Sequence, residues 1–290
     1  MVLTSLVSRQ IPVGSVIVGE CWAQIVANGE SYSDADSPYT MVRVGDWGEK
    51  GSVEIQDLIF TTKGPTPGAV LMEWNMAEDL QGSAAMWDSH FRIGGAMGTG
   101  LTAADCPKLT GTINPNCVAG SMLLHMTGGS SGYLENVWAW VADHDFDSGP
   151  AQTQIDIYVA RGILIESKGG PVWLYGTASE HCVFYQYLLL EAQDVFMGNV
   201  SAGVWTKSSK PFLLSLETRR PNKDVEPDSN RKPVLPAKAQ GACPVHGPGR
   251  ALQRGSRLQR VPRVGAALRS CLGTDDFRVN QRSYLWRGVV

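Results

Sequence analysis

Short apolar runs separated by glycine, aspartate and asparagine dominate the first two thirds of the chain. Val16-Ile17-Val18, Met41-Val42-Arg43-Val44, Val53-Glu54-Ile55, Ala69-Val70-Leu71-Met72 and Met122-Leu123-Leu124 each lie close to Gly, Asp or Asn, as β-strands ended by turns do. No stretch up to Gly198 sustains a 3.6-residue apolar period with caps, so long helices are not expected. No run of about 18 apolar residues is present either, which excludes a membrane-spanning helix.

Aligning the aromatic residues brings out a loose repeat. The segments 55–60, 86–91, 134–140 and 192–196 share an Asp or Asn followed by apolar or aromatic residues: Asp57, Asp88, Asn136 and Asp194. Asp and Asn tolerate left-handed backbone, so each would turn one coil of a solenoid while the residues after it stack on their equivalents in neighbouring coils. A β-sandwich would not carry the same residue at each turn. The pattern predicts an all-β fold, a right-handed parallel β-helix over residues 11–198 preceded by a leader or linker at 1–10.

After Gly198 the pattern stops. Residues 206–290 hold eight prolines, Arg-rich runs such as 250–257 and few aromatics. Such a stretch buries too little apolar surface to offset its ordering entropy, so residues 199–290 are expected to be a largely disordered basic tail. Charge divides at nearly the same place: residues 1–205 carry 8 Lys/Arg against 22 Asp/Glu, residues 206–290 carry 17 against 6, and the total of −3 is a cancellation. The acidic part would repel a polyanion, and the basic part lacks interleaved aromatics, so no nucleic-acid partner is expected.

The chemistry concentrates in Trp173-Leu174-Tyr175-Gly176-Thr177-Ala178-Ser179-Glu180-His181 and in Phe184-Tyr185-Gln186-Tyr187 behind it. Flat rings stack on pyranose C–H faces, and carboxylates bind hydroxyls or move protons, so a sugar ligand suits this stretch. Core-filling rings and a solvated Glu180 are the competing account. Six cysteines form no C-x-x-C pair, and neither a metal site nor a cofactor is expected. Cys106 and Cys117 flank a Pro/Asn/Thr loop and could be a local disulfide or two free thiols. Asn199-Val200-Ser201 is a glycosylation sequon, and Met1 to Gln10 lacks the apolar core of a signal peptide.

Several ordered blocks resemble a known family. They are residues 11–20, 81–90 (Gln-Gly-Ser-Ala-Ala-Met-Trp-Asp-Ser-His), 112–117, 131–138, Ala142-Asp143-His144-Asp145, 174–181 (Leu-Tyr-Gly-Thr-Ala-Ser-Glu-His) and Val195-Phe196-Met197-Gly198. Together they resemble the second half of fungal glycoside hydrolase family 55, the exo-acting glucan 1,3-β-glucosidases of the pectate-lyase-like β-helix superfamily. The resemblance covers roughly residues 9–198. It implies two side-by-side β-helices with the active-site cleft between them, this chain carrying only the second and not all of it, and a separate first β-helix domain as a partner. It also implies secretion and a β-1,3-glucan or oligosaccharide substrate.

The family acts with inversion, which needs one acid to protonate the leaving oxygen and a separate group to activate water. By the resemblance Glu180 holds the attacking water, Asp143 and Asp145 bind glucose hydroxyls and His181 shares the subsite; Trp140, just ahead of them, is either a stacking platform or a core tryptophan. The general acid of the family falls in a Gln-Thr-Glu-x-Pro-Tyr segment after the Phe-Met-Gly block, where this chain has Val200-Ser201-Ala202-Gly203-Val204-Trp205 and Gly203 at the acid position. Hydrolysis is therefore expected to be impaired. The alternatives are a non-catalytic β-helix that binds glucan and an interaction protein working through its basic tail. The abrupt change after Gly198 is also what a lost reading frame or a translated intron would produce.

Overall fold

The structure is a computed structural model and describes residues 2–5, 9–108, 112–147 and 153–203. The expected disordered tail lies, from residue 204 onward, outside the described residues. The described chain is the parallel β-helix its sequence predicts. Each full turn lays down a strand in each of three ribbons, which stack on the next turn by parallel pairing.

The larger sheet holds two of these ribbons. In the first, residues 53–56 pair with Ala84–Trp87, then Gly132–Glu135, Val172–Tyr175 and Val195–Gly198. In the second, residues 59–60 pair with His90–Ile93, then Trp138–Val141, Ala178–Glu180 and Ser201–Gly203. Val16–Ala27 runs alongside both, and Val2–Ser5 pairs with its end. The third ribbon is a six-stranded sheet. Its strands run from Tyr185–Leu189 through Tyr158–Ile165, Val118–Met126, Ala69–Trp74 and Tyr39–Val44 to Arg9–Ile11. Paired structure thus reaches back to residue 2 and forward to residue 203, on both sides of the expected 11–198.

From the turn of Asp57 onward a single left-handed residue joins the first ribbon to the second, whereas in Val16–Ala27 two, Cys21 and Trp22, do so. Asp57, Asp88 and Asn136 hold this corner at φ 56°, 46° and 54°, and the next two turns use Gly176 at 63° and Asn199 at 52°. The corner N–H groups of Asp88, Asn136 and Gly176 donate to the carbonyls of Glu135, Tyr175 and Gly198 in the following turn, and Asn136 Nδ2 donates to Asp88 Oδ1. Asp194 is left-handed too, but it stands at a different corner, just ahead of Val195–Gly198. The asparagine of the sequon is therefore a structural corner residue.

Strand alternation sends one set of side chains inward. Val53, Ala84, Val172 and Val195 stack in one column, Ile55, Met86, Leu134 and Leu174 in the next, and all are buried. Phe60 and Phe91 stack in the second ribbon with ring centroids 5.2 Å apart. Val44, Trp74, Met126 and Ile165 close the third side. Cys106 and Cys117 form a disulfide that pins the long loop after His90–Ile93.

The corner makes a testable demand on residue 176. A Cβ there meets nothing closer than 3.9 Å, so only the backbone conformation restricts it. Gly176→Val should cost about 1–2 kcal/mol in thermal or urea unfolding, because a β-branched residue resists left-handed φ. Gly176→Asn, which repeats the residue used at Asn136 and Asn199, should leave stability unchanged or raised; equal losses for both would contradict the corner assignment.

Candidate functional site

The outward face of the second ribbon carries His90 and Arg92 in one turn, Trp138 and Trp140 in the next, and Ala178 and Glu180 in the third, since their inward neighbours fill the core. Register places Trp140 beside Glu180 and Glu180 beside Gly203. The Trp138 indole N–H donates to Glu180 Oε2 at 3.2 Å, and His90 Nδ1 accepts the backbone N–H of Trp138 at 3.2 Å. His90 stacks on Trp22, 4.7 Å between centroids, and burial pushes its pKa down to about 4. A neutral imidazole at neutral pH is what an accepting Nδ1 requires.

Trp140 is only 4% exposed. It lies 5.0 Å from the Trp138 ring and 5.2 Å from Phe146, with the Arg92 guanidinium 5.8 Å from its centroid and 5.7 Å from that of Phe146. Trp140 is thus packed into the wall of the site, and Trp138 is the tryptophan that touches the carboxylate. The wall residues Trp22, His90, Arg92, Trp138 and Phe146 were not among the sequence candidates. Their signal was present in the alternation His90-Phe91-Arg92-Ile93 and Trp138-Ala139-Trp140-Val141, which puts bulky polar or aromatic residues on one face and core residues on the other.

At the rim, Asp143 and His181 come together with Glu180. Asp143 Oδ1 lies 3.0 Å from His144 Nδ1 and 3.6 Å from His181 Nδ1, while His181 Nδ1 is 3.1 Å from the Val141 carbonyl. His181 itself has φ 67°, and its N–H donates to the Gly203 carbonyl at 3.0 Å. A left-handed non-glycine residue costs about 1–2 kcal/mol, supplied here by the surrounding coils. Asp145 is placed differently. Its side chain is fully buried, Oδ2 accepting the Ala103 N–H at 2.7 Å and Oδ1 that of Asp147 at 2.9 Å. It ties the disulfide-pinned loop to the rim, away from the surface that a ligand would meet.

Burial holds the pKa of Glu180 above the ordinary 4.5; His181 and the Trp138 hydrogen bond oppose the shift, and Asp143 adds to it. Gly203 packs directly on this side chain: a Cβ at 203 would stand 2.8 Å from Glu180 Cγ. At that rung, therefore, no carboxylate faces Glu180 from the neighbouring turn. Among the described residues no group of three or more His, Cys, Asp or Glu is arranged to hold a metal ion.

The raised pKa has a sign that can be checked. The folded state binds the proton of Glu180 more tightly than the unfolded chain, so this group favours folding below about pH 4.5 and disfavours it as pH rises through the shifted value. Glu180→Gln should accordingly raise the melting temperature at neutral pH, with the gain shrinking toward pH 4. A gain independent of pH, or a loss at pH 7, would contradict the assignment.

No protein-family model matches the chain. Individual relatives do. It is 55% identical over 190 residues, 66% of this chain and 13% of the relative, to a protein named non-secreted LysM effector LysM15 from Penicillium expansum. It is 46% identical over 208 residues to a protein of Arthroderma benhamiae named probable glucan endo-1,3-beta-glucosidase, covering 71% of this chain and 24% of the relative. It is 40% identical over 191 residues to the glucan 1,3-beta-glucosidase of Cochliobolus carbonum, covering 66% and 24%. The chain thus spans between about an eighth and a quarter of the length of these relatives. Over some two thirds of its own length the chain is similar to proteins named glucan 1,3-beta-glucosidase and probable glucan endo-1,3-beta-glucosidase.

Proposed function

We propose that the face around Glu180 binds a glucose unit of β-1,3-glucan, and that this chain derives from an exo-acting, inverting hydrolase whose cleavage step it performs poorly. The observation that carries the proposal is the packing of Gly203 against Glu180. Inversion needs two groups on opposite sides of the sugar, and the turn next to Glu180 offers a hydrogen atom where the family resemblance implies an acid.

Glu180 has the attributes of the water-holding partner. A carboxylate whose pKa is raised is a stronger base, and the Trp138 N–H fixes one of its oxygens so that the other can accept from water or a hydroxyl. Asp143, with its side chain 32% exposed and held between His144 and His181, can accept from further sugar hydroxyls. Asp145 acts as a positioning residue for the rim loop. Without a proton donor the leaving oxygen departs as an alkoxide, a loss of roughly 10²–10⁴-fold in rate. The relatives named as glucosidases support glucan as the ligand class, and the sequence departure at Gly203 favours the binding role over the catalytic one.

Calorimetry with laminari-oligosaccharides tests the binding half. Asp143→Ala and Glu180→Ala should each weaken binding, by up to about 1.5–3 kcal/mol for a charge-assisted hydrogen bond and less with solvent screening. Affinity in both variants equal to that of the unaltered chain, or no binding by the unaltered chain, would refute it. Glucose release from laminarin should be near background; turnover at a rate typical of glycosidases, about 1–10³ s⁻¹, would refute the impairment.

A further inference from the structure

Around the left-handed corner from Glu180 lies a second outward face, that of the first ribbon. Register puts Tyr133, Trp173 and Phe196 in one column of three successive turns, and Trp87, Glu135 and Tyr175 in the column beside it. Their inward neighbours Met86, Leu134, Leu174 and Val195 are buried, so these six side chains point away from the core. Tyr175 is 49% exposed and Phe196 38%. Trp173 and Phe196 have centroids 5.1 Å apart and planes tilted by 42°. Tyr133 Oη donates to Glu135 Oε2 at 2.7 Å, which raises the phenol pKa to about 12 and fixes the carboxylate within the aromatic surface.

From this arrangement we propose that the first-ribbon face is a secondary binding platform for the β-1,3-glucan polymer, separate from the Glu180 subsite. The inference rests on glucan being the ligand class. Rings repeating at the strand spacing of about 4.8 Å offer successive flat surfaces to successive pyranose units. A fixed carboxylate among them accepts hydroxyl hydrogen bonds. The two columns carry Glu54 and Glu135 and no Lys or Arg, which suits a neutral polysaccharide and repels an anionic one. The face adjoins the Glu180 site across one corner residue per turn, so a long chain held on it stays close to that site.

Affinity electrophoresis of the full chain through gels containing laminarin tests the platform, with dextran gels as the control. Tyr175→Ala and Phe196→Ala remove partly exposed rings that the core does not need, and circular dichroism reports whether each variant folds. Each should weaken retardation about tenfold, the equivalent of about 1.4 kcal/mol, while Tyr175→Phe keeps it. Glu180→Gln should weaken calorimetric binding of a trisaccharide by a larger factor than it weakens polymer retardation. If the trisaccharide arm fails and retardation persists, the Glu180 assignment falls and the platform stands. Unchanged retardation in folded Tyr175→Ala and Phe196→Ala, equal retardation in dextran, or a change of oligomeric state in place of lost retardation would overturn the platform.

Discussion

Register between turns is the constraint on which everything else depends. A parallel β-helix has no hairpins to fix pairing, so a slip of one residue would turn each inward side chain outward. The left-handed corner prevents this slip. In five successive turns one residue, Asp57, Asp88, Asn136, Gly176 or Asn199, bends the chain, and at Asp88, Asn136 and Gly176 its N–H bonds to the next turn, so the strands on either side start in step. Inward columns of Val, Ile, Leu and Met then coincide, and their burial holds the corners in a conformation that would otherwise be unfavourable.

The same register builds the candidate site. Trp140, Glu180 and Gly203 are consecutive rungs of one outward column, and Trp138 reaches Glu180 because it stands two residues back on the adjacent rung. Backbone pairing therefore fixes the carboxylate's neighbours, and what varies is the side chain at each rung. A glycine at one rung removes a functional group without disturbing the coil, which is how such a fold can keep a ligand surface while losing a catalytic partner. The rim is less regular: its Asp143, His144 and His181 lie at strand ends and in loops, held by Asp145 and by the Cys106–Cys117 disulfide.

Much of the fold was legible in the sequence. The runs at Val16, Met41, Val53, Ala69 and Met122 all lie in strands, and Asp57, Asp88 and Asn136 mark one true corner. Asp194 misled because a second corner also accepts Asp in a left-handed conformation, and Gly176 fell outside the Asp/Asn repeat because the corner needs a backbone geometry, not one residue type. At the site, Glu180, His181 and Asp143 do converge. Asp145 and Trp140 sit deeper than the motif suggests, because proximity in sequence does not say which side of a loop a side chain takes. The aromatic columns of the first ribbon were only half visible, since Trp87, Tyr133 and Trp173 become neighbours only when the turns are stacked in register.

Glu180 is thus a half-buried carboxylate with its indole donor in place, a histidine and a second acid at the rim, and no facing acid from Gly203. The central claim, that this arrangement is a glucose subsite, is tested most directly by a crystal structure of the chain soaked with a laminari-oligosaccharide. The account predicts density for a pyranose ring within hydrogen-bond distance of Glu180 and Asp143, with the glycosidic bonds intact. Density confined to other surfaces, with the Glu180 face holding solvent alone at saturating oligosaccharide, would contradict it.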